Sequence, residues 1–288
     1  MGANLAAMRV IIDGVPEDER TASVSVFDWA LIRGFGVFEV VRSYRGSLFR
    51  LERHLDRLAL SAAALEIAMP ERSALARDMD RVAAACGEGQ VRVMLTGGGR
   101  DLAVAAAPRT IVMWEPLPVV PDRVRVIPVV APWHPATDAS GYPGVKWTSY
   151  APNMVTTDRA RRLGYDDALL ITPGGVVLEG PTFTFAWVHR GRLETPSLDL
   201  GILPSITREV VIECCGRLGI EISEGHHPLD RVLASEEVIA LSTVKQVVAV
   251  EQIGETHIPG GLVAGRLAAA FAAIVHDDTR GPRLDPVA

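Results

Sequence analysis

The spacing of apolar and polar residues changes several times along the 288-residue chain, and each change predicts an element. Residues 8–12, 23–26 and 37–43 are runs of β-branched, apolar or aromatic side chains, the composition of strands. Tyr44-Arg45-Gly46-Ser47 reads as a turn, with 48–51 returning as a strand. From 51 to 67 the period lengthens: Leu51, Leu55, Leu58, Ala62 and Leu65 fall on one helical face. A second helix is predicted over 72–86, then strands at 90–96 and 109–114.

Glu115-Pro116-Leu117-Pro118-Val119-Val120-Pro121 interrupts both periods, because proline removes a backbone donor and stiffens the chain. It predicts a small N-terminal domain over 1–115, a linker over 116–122 and a larger domain over 123–288. The larger domain opens with a strand at 124–130 and a Pro/Gly-rich loop at 131–144. A helix at 152–163 and a strand at 168–172 follow, then a Gly174-Gly175 turn and a strand at 176–179. Strands at 185–189 and 192–195 are joined by Arg190-Gly191, and a helix at 207–218 stops at Gly219. Strands at 237–241 and 247–252 precede a last helix at 262–275. This irregular mixture of strands and helices predicts an α+β protein.

Composition narrows the function. The formal charge is -6, which lacks the electrostatic footprint of a nucleic-acid or anionic-membrane binder. Every apolar run is soon broken by a charge or a proline, so no membrane span is expected, and the reading is cytoplasmic. The three cysteines, Cys86, Cys214 and Cys215, do not form a disulfide framework. The His226-His227 pair has no nearby cysteine at zinc spacing, so no metal site is expected.

Candidate chemistry centres on Lys146 in Gly144-Val145-Lys146-Trp147-Thr148-Ser149-Tyr150, flanked by apolar and hydroxyl groups with no acidic sequence neighbour. Burying a lysine in such surroundings makes its amine nucleophilic. Three features favour an anion. The turn Gly201–Arg208 opens a helix whose free N–H groups and dipole attract phosphate, with Ser205 and Thr207 as added donors. Ser205 acting only as an N-cap is an equal alternative. Ser242-Thr243 offers a hydroxyl pair at a strand end, and Arg57 a fixed charge on the 51–67 helix. Glu179, before Gly180-Pro181, supplies a carboxylate at a forced bend.

Together these residues resemble the fold-type IV pyridoxal phosphate (PLP) enzymes, the class-IV aminotransferase family. That family includes branched-chain and D-amino acid aminotransferases and aminodeoxychorismate lyases. The segments carrying the resemblance are Arg33-Gly34-Phe35-Gly36-Val37-Phe38-Glu39, His54-Leu55-Asp56-Arg57-Leu58 with Ser61-Ala62, Lys146–Tyr150, Glu179-Gly180, Leu203–Arg208 and Ser242-Thr243. The resemblance implies a D-amino acid aminotransferase-like fold: a small α/β domain and a larger β-barrel-like domain with helices. It implies PLP held as a Schiff base by Lys146, with Glu179 at the pyridine nitrogen and Tyr150 at the phenolic oxygen. Arg57, Ile206, Thr207, Ser242 and Thr243 would hold the phosphate. Phe38 would contact substrate, as would Arg100 of the Gly97-Gly98-Gly99-Arg100 loop. The implied reaction moves an amino group between a branched-chain or D-type amino acid and a 2-oxo acid. Aminodeoxychorismate cleavage to 4-aminobenzoate and pyruvate is the alternative, and non-catalytic PLP binding the third. A homodimer is also implied. Ser205 departs from the family's usual glycine in the phosphate turn, and Trp147-Thr148-Ser149 from its usual residues after the lysine.

Overall fold

Strand pairing organises the described residues, 8–99, 107–134 and 142–280 of a computed structural model, into two units. The first unit draws on the described residues of Met1–Pro118, Val145–Ser149 and Val275–Ala288; the second on those of Val119–Gly144 and Tyr150–Ile274. The first break falls inside the Pro-rich segment. Composition gives no sign of the two short later segments that return to the first unit. The mixed α and β content and the two sheets are those of the predicted fold class.

In the first unit a six-stranded antiparallel sheet runs in the order Val15–Glu17, Val10–Ile12, Thr110–Glu115, Gly89–Thr96, Gly36–Tyr44, Ser47–Leu48. Along Gly36–Tyr44 the buried positions alternate, Val37, Glu39, Val41 and Ser43, as a pleated strand with one covered face requires. Helices Leu51–Ala64 and Arg72–Cys86 cover that face through Leu55, Leu58 and Ala62 of one and Leu75, Met79 and Val82 of the other. Burying each leucine contributes about 2 kcal/mol.

In the second unit eight strands form a mixed sheet. Its path is Ile222–Gly225, Arg192–Pro196, Thr184–His189, Glu237–Ser242, Gln246–Ile253, Arg123–Val130, Asp167–Ile171, with Thr256–His257 paired to Gln246–Ile253. Three of the pairings are parallel. Helix Ile206–Leu218 is capped at one end by Ser205 and stopped at the other by Gly219, whose φ of 66° is left-handed. No described helix is long and apolar enough to cross a membrane.

Three predicted strands change. Residues 23–26 form none: no strand pairs with them, and Val24 and Val26 stay exposed. The strand predicted at 48–51 shrinks to Ser47–Leu48, because Arg50 takes a left-handed φ of 54° and starts the helix. Residues 176–179 make isolated bridges, Val177 to Ile171 and Val176 to Pro228, rather than a continuous ladder. Short elements without a periodic signal, such as helices Trp29–Arg33 and Leu229–Leu233, are not foreseen.

Within the first unit Gly36 sits where a Cβ would lie 2.9 Å from the backbone oxygen of Leu95 and 3.2 Å from Thr148 Oγ1. A backbone atom in a paired strand has little room to yield. Gly36→Ala is therefore expected to destabilise the protein by about 1–3 kcal/mol, seen as a lower urea midpoint. An unchanged midpoint would mean that this close approach is not a constraint.

Candidate active site

Lys146 is fixed by its backbone before its side chain is considered. Its carbonyl accepts from the Phe38 N–H at 3.0 Å, and the Thr148 N–H donates to the Gly36 carbonyl at 2.8 Å. These bonds lay 146–148 against the start of strand Gly36–Tyr44, with Trp147 bridged to Val37. The Lys146 N–H donates to Ser61 Oγ at 3.1 Å, and Thr148 Oγ1 donates to the Gly34 carbonyl at 2.7 Å. The half-buried lysine then places Nζ 4.5 Å from the centre of the Phe38 ring. Phe38 lies on the strand face opposite Val37 and Glu39, so Phe38 and Lys146 share one face of the sheet.

The other face carries a charge cluster inside the core. Glu39 is fully buried in phase with Val37 and Val41, a position that sequence pattern assigns to an apolar side chain. Helix Leu51–Ala64 supplies its partners. Arg57 Nε donates to Glu39 Oε1 at 2.7 Å and Nη2 to Oε2 at 2.8 Å, while His54 Nδ1 lies 2.8 Å from Oε2. His54 and Arg57 are three residues apart, hence on one helical face. Burial alone would raise the Glu39 pKa; the Arg57 charge and the hydrogen bonds of Arg57 and His54 outweigh it and hold the carboxyl well below its usual range. Burial pushes the His54 pKa down, opposed by Glu39 and reinforced by the charges of Arg57 and Lys146. Arg57 is thus a buried, bidentate ion-pair partner rather than a residue on a solvated face.

The second unit brings a carboxylate against a helix-opening turn. Glu179 Oε2 accepts the Leu203 N–H at 3.2 Å, which ties the carboxylate to the turn ahead of helix Ile206–Leu218. His134 Nε2 lies 3.0 Å from Oε1. Gly180 follows where a Cβ would meet the Phe183 ring at 2.6 Å, so the bend leaves no space for a side chain. Ser205 accepts the Arg208 N–H at 3.2 Å as an N-cap; Ile206 and Thr207 occupy the first helical turn, where N–H groups lack helical partners. Ser242 ends strand Glu237–Ser242 and accepts the Lys245 N–H at 3.0 Å, with half-buried Thr243 next in the turn. Lys245 itself stands 4.2 Å from the Phe183 ring centre and 3.8 Å from Asp167; burial lowers its pKa against the pull of Asp167.

The structure therefore groups Phe38, Lys146 and Arg57 in the first unit, and Glu179, Ile206, Thr207, Ser242 and Thr243 in the second. Tyr150 caps helix Ala151–Arg162 in the second unit. Arg100 lies outside the described residues. Pattern reading assigned no role to Glu39, His54, His134 or Lys245. Only Glu39 left a signal: a carboxylate in phase with buried valines demands a buried cation. Taken unit by unit, the chemistry suits PLP: the first unit holds an amine of the kind an aldehyde condenses with, and the second a carboxylate and a helix start with hydroxyls, groups that suit a ring nitrogen and a phosphate.

Glu39→Gln leaves Arg57 as a buried charge without its counter-ion and is expected to cost about 3 kcal/mol in urea unfolding. Both Glu39 and His54 have folded-state pKa values below their unfolded ones, so the unfolded chain binds more protons as the solution is acidified. Their contribution is complete above about pH 6.5, falls first with His54, and falls again below about pH 4.3 with Glu39. A urea midpoint that stays level from about pH 8 to about pH 4 would rule this out.

Comparisons with known proteins identify the family. The family model for amino-transferase class IV matches residues 36–253. The chain is 32% identical over 256 residues to a putative branched-chain-amino-acid aminotransferase of Methanocaldococcus jannaschii, covering 85% of this chain and 88% of that protein. It is 28% identical over 268 residues to the aminodeoxychorismate lyase of Bacillus subtilis, covering 86% and 87%. The crystal structure of a branched-chain aminotransferase from Thermoproteus uzoniensis with norvaline superposes with a TM-score of 0.84 at 27% identity, covering 95% of this chain and 96% of that one. The chain belongs to the class IV aminotransferases and is a PLP-dependent enzyme of fold type IV.

Proposed function

We propose that the protein moves an amino group between an amino acid of the branched-chain or D type and a 2-oxo acid. The observation that carries this reading is Lys146: half-buried, its backbone pinned to Gly36 and Phe38, its amine held at the Phe38 ring. When bound, PLP supplies an electrophilic carbon and a protonated ring that draws electrons from the substrate's α-carbon. Lys146 Nζ would hold the cofactor at that carbon and, once free, would take up and hand back the substrate's α-proton. Glu179 keeps a proton on the ring nitrogen, and Tyr150 donates to the phenolic oxygen. Arg57, Ile206, Thr207, Ser242 and Thr243 bind the phosphate, Ile206 through its backbone N–H. Phe38 packs against the substrate side chain, and Arg100 takes its carboxylate.

A lyase reading uses the same Lys146 to cleave aminodeoxychorismate, and the similarity to the Bacillus subtilis lyase favours carrying it as the rival. A cytoplasmic homodimer completes the proposal; the net charge of -6 and the family's habit support it.

A half-reaction screen with D- and L-amino acids and aminodeoxychorismate decides between the readings. Loss of the near-visible absorbance of bound PLP, with 2-oxo acid released, is expected for a donor; 4-aminobenzoate formation would replace the transfer reading with the lyase one. Lys146→Ala is expected to lack that absorbance and to lose turnover by several orders of magnitude, as removal of a covalent catalyst does. Glu179→Gln is expected to keep the absorbance and lose about 100-fold in kcat. An absorbing, active Lys146→Ala protein would sink the proposal.

A further inference from the structure

We infer that His134 is a positioning residue for Glu179, one that fixes the carboxylate which meets the cofactor's ring nitrogen. The inference rests on the PLP reading above and concerns how this chain builds the acidic half of its site.

The geometry is that of a clamp within the second unit. His134 Nε2 lies 3.0 Å from Glu179 Oε1, and the Leu203 N–H reaches Oε2 at 3.2 Å. Each carboxylate oxygen is therefore held by a donor from a different loop, and each keeps a lone pair for a further partner. Donation from His134 requires the ring proton on Nε2. Both side chains are largely sheltered, His134 6% and Glu179 16% exposed, where water competes poorly for the bond.

The backbone on both sides is held as well. The Ala131 N–H donates to the Ile171 carbonyl at 2.9 Å and the His134 N–H to the Ala131 carbonyl at 3.0 Å, so the histidine springs from a turn tied to a strand end. Its neighbour Trp133 donates Nε1–H to Asn153 Oδ1 at 3.1 Å, and Asn153 Nδ2 donates to the Pro181 carbonyl at 3.2 Å. Trp133-His134 thus holds the Glu179 carboxylate directly and, through Asn153, the bend that follows it. A glutamate free to change rotamer would spend part of its time turned from the ring; a clamped one makes the ring contact at less entropic cost.

The test compares His134→Phe, which keeps an aromatic ring and loses the donor, with His134→Gln, whose amide can donate to the same oxygen. The full-length apoproteins are titrated with PLP and followed by near-visible absorbance. His134→Phe is expected to raise the PLP dissociation constant about tenfold, the worth of one hydrogen bond to a charged group. His134→Gln is expected to stay within about threefold of wild type. In a Glu179→Gln background the effect of His134→Phe is expected to shrink below about twofold, because the two residues act as one unit. With the amino donor found by the half-reaction screen, His134→Phe is expected to lower kcat about tenfold and leave KM within about twofold.

An unchanged dissociation constant in His134→Phe overturns the inference. So does an equal loss in both backgrounds, which would mark a structural residue, and so does a His134→Gln protein as impaired as His134→Phe. Should His134→Phe fail to fold, His134→Asn, with an amide too short to reach Oε1, carries the same expectation. Failure of the PLP reading looks different: the wild-type protein would then show no near-visible band with PLP at all.

Discussion

The placement of Lys146 depends on how a short segment of chain is laid onto one strand. Two backbone hydrogen bonds, Phe38 N–H to the Lys146 carbonyl and Thr148 N–H to the Gly36 carbonyl, fix residues 146–148 at the start of strand Gly36–Tyr44. Gly36 makes this possible, because a side chain there would strike both the neighbouring strand and Thr148. An amine on a long flexible stem gains little from burial alone. It acts in one place only when its backbone is held and its stem passes along a wall, here the Phe38 ring.

Charge is handled in the two units by different means. In the first, Glu39 takes a core position and is neutralised by a bidentate arginine, with a histidine from the same helical face as a further hydrogen-bond partner. Removing Glu39 or Arg57 strands a charge in the interior, so the pair ties helix Leu51–Ala64 to the sheet. Arg57 is thereby held in one orientation. In the second, Glu179 is less deeply buried and is held by an imidazole and a backbone N–H.

Much of the fold is legible along the chain. Helix Arg72–Cys86 is bounded where its pattern predicts, since a sustained amphipathic period leaves one arrangement that buries its apolar face. The strands at 23–26 and 176–179 fail for the opposite reason: alternation over four residues says a strand is possible, but a strand exists only if another edge pairs with it. For the site, Lys146, Glu179 and the helix-opening turn stand out by local chemistry. The partners that orient them do not, because His134 precedes Glu179 by 45 residues and Ser61 precedes Lys146 by 85.

The sequence by itself therefore determined the class of fold and marked Lys146 and the helix-opening turn as the candidates for chemistry. Each is local, set by residue type, spacing and the exposed N–H groups of a helix start. Tertiary structure alone decided that Arg57 is a buried ion-pair partner rather than a solvated charge, that Glu39 belongs in the core, and that residues 145–149 pack with the N-terminal unit. These outcomes depend on which distant groups meet out of water. The free energy of a buried charge is settled by its partners, and their identity is not written in the neighbouring residues.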